Sequence, residues 1–179
     1  MQPTEFNDSF KLFPYRKDYE DGRTNNGGID LSREPWRIAE ITEAKDFPEL
    51  LHLIKEFNKN SSPFLTLGCE ASFDEGLMHG YVEFTLKDDN LANDLSFIAE
   101  LDENFYAWAR KIDPELESTL RNVLAWEYTP FSYHGESQKH KVSFFFRAPD
   151  QDYAGKTLNV VRTYFCETLA KTLTDAPSL

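Results

Sequence analysis

Three glutamates stand inside stretches that are otherwise largely apolar: Glu70 in Phe64–Phe73, Glu83 in Leu77–Leu86 and Glu127 in Val123–Phe131. Two carboxylates held close together work as general acid and base, and a cluster of them holds a divalent cation. Polar positions of half-exposed strands are the simpler expectation. The four histidines, His52, His79, His134 and His140, are scattered, and His134 and His140 flank one turn, Gly135–Lys139. A zinc site there would need a third ligand such as Glu127 or His79; turn histidines facing solvent are the simpler expectation. Cys69 follows Gly68 on the apolar side of its strand, where burial disfavours a thiolate, so it is expected to be structural.

The familiar spacings of site chemistry are missing. The chain has no phosphate-cradling glycine loop, no Gly-x-Ser-x-Gly, no His-Glu-x-x-His and no Cys-x-x-Cys. Carboxylates without placed His, Lys or Asn partners make poor active sites. No catalytic residue, metal or cofactor is therefore assigned, and an enzyme using the strand glutamates or hairpin histidines is the least favoured class.

Charge is more informative. Nineteen basic against 31 acidic residues leave a net charge of −12, which disfavours direct binding to nucleic acid or to an anionic membrane. Between Glu70 and Glu103 there are ten acids and a single base, Lys87. Such a segment is either a solubility device or a surface that attracts a basic partner. The candidate partner-binding residues are Glu70, Asp74, Glu75, Glu83, Asp88, Asp89, Asp94 and Glu103.

The elements that must position these residues follow from periodicity. Residues 1–35 read as an N-terminal arm, polar and loop-like over Lys17–Gly28 but aromatic over Phe6–Tyr15, and expected to pack on its own domain. Residues 36–179 read as a single α+β domain of ordinary size. Trp36–Thr42 is predicted to be a short strand. A helix is expected from Asp46, with Asp46 as cap, Pro48 in the first turn and a stripe at Phe47, Leu50, Leu51, Ile54 and Phe57.

Phe64–Phe73 alternates, with Leu65, Leu67, Cys69, Ala71 and Phe73 on one face, and Asp74-Glu75-Gly76 turns it into a second strand, Leu77–Leu86. A helix over Ala92–Ile112 carries Leu95, Ile98, Leu101, Phe105, Trp108 and Ile112, and Pro114 restarts it over Glu115–Asn122. Strands Val123–Phe131 and His140–Arg147 precede a last helix, Tyr153–Leu173. The expected core is Leu50, Ile54, Leu95, Ile98, Phe105, Trp108, Val161, Phe165 and Leu169. The order (arm)-β-α-β-β-α-β-β-α repeats strand–turn–strand–helix twice. It predicts a mainly antiparallel sheet of about four to five strands with helices on one face and the other face open.

The absence of a long apolar run or a basic-then-apolar leader, together with two cysteines too few for a disulfide framework, predicts a cytoplasmic protein with free thiols. The favoured function is a non-catalytic acidic binding protein, an inhibitor, immunity-type or decoy protein whose partner is a basic protein. From Asp46 onward the order helix–hairpin–helix–hairpin–helix is similar to that of the acidic chaperones of bacterial type III secretion. That topological resemblance implies, as an alternative, a homodimer that binds an extended segment of another protein.

Overall fold

The computed structural model describes residues 1–4, 10–17 and 27–175; residues 5–9 and 18–26, within the expected arm and loop, lie outside the described residues. Helix α1 (Pro48–Phe57) opens on Pro48, whose missing N–H costs nothing at a first helical position. Asp46 therefore lies one residue too early to cap it, and its carbonyl instead accepts from Gln151 Nε2 at 2.9 Å. Strands β3 (Phe64–Asp74) and β4 (Leu77–Leu86) form the first hairpin, with Glu75 and Gly76 at φ 51° and 78° in its two-residue turn. Strands β5 (Leu124–Tyr133) and β6 (Ser137–Ala148) form the second.

The two hairpins join through their second strands, β4 against β6, so the sheet reads β5-β6-β4-β3, all antiparallel. Two short arm strands, β1 (Gln2–Pro3) and β2 (Leu12–Phe13), run parallel to β5 along its outer edge and make the sheet mixed and six-stranded among the described residues. The fold is thus α+β, an open sheet with helices packed against it.

Those helices are α1, α2 (Asp89–Asn93), α3 (Leu95–Ile112), α4 (Pro114–Val123) and α5 (Gln151–Arg162). The last continues through a π-helical stretch, Thr163–Leu169, into α6 (Ala170–Asp175). Their apolar stripes meet the inner sheet face in one core in which Phe57, Phe64, Phe84, Phe105, Phe144 and Phe165 are fully buried. Gly80 lies where this packing is tightest. A Cβ there would stand 2.1 Å from the Glu70 carbonyl and 2.7 Å from the Phe146 ring, so no side chain fits at that point.

Three expectations are corrected. Trp36–Thr42 is not a strand: Pro35–Glu40 forms a 3₁₀ helix, with Trp36 71% exposed. Arg37 bonds Glu34 at 2.8 Å and Glu40 at 2.9 Å, each three residues away. Ile38 and Ile41, also three apart, reach the core.

Second, Phe64–Phe73 does not alternate throughout. A β-bulge between Thr66 and Gly68 shifts the register and reverses the parity. Leu65 and Leu67 face outward into a second apolar cluster, while Cys69 and Ala71 pack on the main core. Third, the Ala92–Ile112 helix is broken at Asp94, which accepts from the N–H groups of Ser96 and Phe97 and caps α3. Leu95 thereby becomes the first residue of a new helix, its side chain leaning back over that terminus, and is 50% exposed instead of buried.

Candidate functional site

The outer face of the sheet carries polar side chains from all four long strands. The register aligns Gly68, Glu83, Ser143 and Glu127 in one row and Glu70, Tyr81, Phe145 and Ala125 in the next. The three strand glutamates therefore share one face, but each has a different environment. Glu83 is buried beneath the arm, with Lys141 Nζ donating to Oε1 at 2.9 Å and Tyr15 Oη donating to Oε2 at 2.6 Å. Lys141 Nζ also donates to Tyr15 Oη at 2.9 Å, and its side chain is 0% exposed. Burial, and next the Glu83 charge, raise the Tyr15 phenol well above its ordinary range, so it stays protonated and donates.

Glu127 accepts from Thr4 Oγ1 at 2.7 Å, and Glu70 is exposed. Among the described residues, no group of three His, Cys, Asp or Glu side chains could hold a metal ion.

Phe13, Tyr15, Leu65, Leu67 and Phe131 form the apolar cluster around this ion pair, with Phe10 and Tyr133 packed against it. The arm thus covers part of the outer face that was expected to be open. A second polar knot secures the chain that follows. Buried Asp30 accepts from Ser32 Oγ at 2.6 Å, Tyr133 Oη at 2.5 Å and His134 Nε2 at 2.8 Å. Burial alone would raise the Asp30 carboxyl, but the hydrogen bonds from Ser32, Tyr133 and His134 outweigh it and hold the group below the usual carboxylate range. His134 adopts φ 54° in the hairpin turn, while His140 turns to the helix side and contacts the Ala92 carbonyl at 3.2 Å. The two histidines do not converge.

Of the remaining histidines, His52 is exposed on α1, and His79 contacts Ser72 Oγ at 3.0 Å on the outer face. Cys69 and Cys166 are free thiols, and burial, with Glu43 and Glu83 near it, pushes the Cys69 thiol up to about 12. A cleft lined by Glu56, Lys59, Ser61, Ser62, Cys166 and Ala170 encloses about 70 Å³, room for a few waters.

The acids of the Glu70–Glu103 segment divide sharply. Four are neutralised by bases from elsewhere in the chain: Glu83 by Lys141, Asp89 by Lys139 at 2.7 Å, Glu103 by Arg121 at 2.7 Å, and Asp102 by the Met1 amine at 2.8 Å. Among the described residues Glu70, Asp74, Glu75, Asp88, Asp94 and Glu100 have no basic side chain paired to them, and all six are exposed. Asp88 and Asp94 serve as helix caps for α2 and α3.

Asp74 and Glu75 lie at the free end of the first hairpin, and Asp88 and Asp94 beyond the other end of β4. The ten residues of β4 separate the turn acids Asp74 and Glu75 from Asp88 and Asp94 by about 30 Å, and Glu70, paired with Tyr81, lies partway between them. The candidate partner residues therefore form two acidic regions, with Glu83 inside the fold.

The basic residues that dilute this segment were not visible from it, because they arrive from β6, α4 and the arm. One sequence signal existed: Lys139 and Lys141 alternate at the start of strand β6, the parity that places them on the same face as Glu83. No protein-family model matches the chain, and neither a curated protein nor a solved structure is significantly similar to it. Among the described residues no helix is long and apolar enough to cross a membrane.

Proposed function

We propose that the chain is a non-catalytic binding protein that engages a basic protein partner through its exposed acidic surface, as an inhibitor, immunity-type or decoy protein acting in the cytoplasm. The observation that carries this reading is the set of six exposed acids between Glu70 and Glu100 with no basic side chain paired to them among the described residues, in a chain of net charge −12. Such a surface carries negative potential that speeds the arrival of a basic protein and repels acidic ones. The buried polar networks speak for structure over chemistry. Glu83, Lys141, Tyr15 and Asp30 are tied to one another or to the arm and turn they hold in place, with their hydrogen-bonding capacity engaged internally.

The test is isolation of the chain from its native cells at low ionic strength. A stoichiometric basic protein released by moderate salt is the expected result. A neutral or acidic partner, or a second copy alone that resists salt, overturns the reading.

A further inference from the structure

Strand β3 is an edge of the sheet, and its outer side is treated differently along its length. Near its start the edge is closed: Asn58, just beyond α1, accepts from the Thr66 N–H at 3.2 Å and donates to Thr66 Oγ1 at 2.6 Å. Among the described residues, no backbone hydrogen bond of Gly68 to Asp74 runs to anything but β4. The two-residue turn makes Asp74 and Leu77 the bonded closing pair. Alternation then turns the N–H and C=O groups of Cys69, Ala71 and Phe73 outward. Phe73 is 63% exposed at the end of this run. An unpaired row of strand backbone is a template for one more strand.

We propose that this edge, residues 68–74, receives an extended basic segment of the partner as an added β-strand. The proposal rests on the acidic-surface reading and names its binding mode. Charge selects the occupant. Among the described residues Glu70, Asp74 and Glu75 line the edge and its turn with no basic side chain paired to them. Within the sheet, the exposed base Arg147 on the same face lies across His79, on the far side of β4 from the open edge.

A second copy offers the same geometry but brings a further charge of −12 and sets the acids of one edge beside those of the other. Acidic side chains on an edge act against self-pairing. A strand carrying Lys or Arg turns the same charges into cross-strand attraction.

The test uses a synthetic alternating Lys-Val peptide of about eight residues, within the usual range of strand lengths. Its control carries the same charge with alternate backbone nitrogens methylated. Amide exchange of the full chain is followed residue by residue with each peptide at low salt. At a peptide concentration about ten times Kd, the outward amides of Cys69, Ala71 and Phe73 should exchange about tenfold more slowly. The methylated control should give no protection there.

Ala71→Pro removes an outward N–H and no ladder bond, which an edge strand tolerates, and should abolish the protection while the unbound protein's melting temperature shows that the fold persists. Salt-sensitive binding that protects the α2–α3 region instead, equally with both peptides, overturns the edge proposal and leaves the acidic-surface reading standing. No binding of either peptide overturns the edge proposal, and the acidic-surface reading is then decided by the native partner's association kinetics. A dimer in solution that Ala71→Pro converts to monomer assigns the edge to a second copy, and also overturns it.

Discussion

Lys141→Met tests the way the arm is bound to the sheet. The Lys141 ammonium is wholly shielded from water and donates at 2.9 Å both to Glu83 and to the Tyr15 hydroxyl. Methionine keeps most of the side-chain volume but removes the charge, leaving the Glu83 carboxylate buried with the Tyr15 and Ser143 hydroxyls as its remaining partners among the described residues. Removing one member of a buried pair costs about 3–5 kcal/mol, because the surviving charge is left uncompensated. For a chain of this length each kcal/mol lowers Tm by roughly 2–4 °C, so the variant should melt on the order of 10 °C below the parent.

The companion variant Tyr15→Phe/Glu83→Leu/Lys141→Met replaces the whole network with apolar groups. It should recover most of that loss, since a buried polar set and a well-packed apolar one are often of similar stability. Urea and thermal unfolding followed by circular dichroism measure both. If Lys141→Met costs less than about 1 kcal/mol, far below the buried-pair range, or the triple variant is less stable than the single one, the buried network does not hold the arm as described.

Phe105, fully buried against the rings of Trp126, Tyr164 and Phe165, should cost about 3–5 kcal/mol on truncation to Ala in the same unfolding assay. Asp94→Ala removes the α3 cap and should cost about 1 kcal/mol, whereas Leu95→Ser beside it should stay within about 0.5 kcal/mol; the reverse order would restore Leu95 to the core. Asp30 has a folded pKa depressed below its unfolded value, so its contribution to stability is present above about pH 4 and is lost as pH falls through the folded value. Asp30→Asn should therefore flatten part of the acid limb of a stability–pH curve, and an unchanged acid limb would show that the knot with Tyr133 and His134 contributes nothing.

The parts of the fold legible in the sequence are those governed by local periodicity. Both hairpins, α1, the body of α3 and the last helix follow from spacing two or spacing three-to-four, and the repeated strand–turn–strand–helix order anticipates two hairpins in one sheet. Elements governed by a single residue's neighbours were not legible. The bulge after Thr66 moves Leu65 and Leu67 to the opposite face from Cys69, and alternation cannot announce one extra residue. The 3₁₀ turn at Pro35–Glu40 depends on Arg37 bridging two glutamates, which competes with an apparent strand pattern.

The candidate surface was legible only in part. The acidity of Glu70–Glu103 is plain from composition, yet Lys139, Lys141 and Arg121, which neutralise three of its acids, come from far along the chain. The open edge of β3 depends on sheet order, which no local pattern encodes.

The most direct test of the central claim is the association rate of the native partner at low and high salt, for the parent and for a variant with Glu70, Glu75 and Glu100 changed to Lys. Among the described residues these three are exposed, without a paired base and outside every helix cap, so their reversal changes charge without removing a structural bond. A steered encounter slows by about tenfold or more as salt rises. The reversed variant should start from the slower rate and respond little to salt, with dissociation changed far less than association. An association rate indifferent to both salt and reversal would contradict the account and leave the acidic surface as a solubility device.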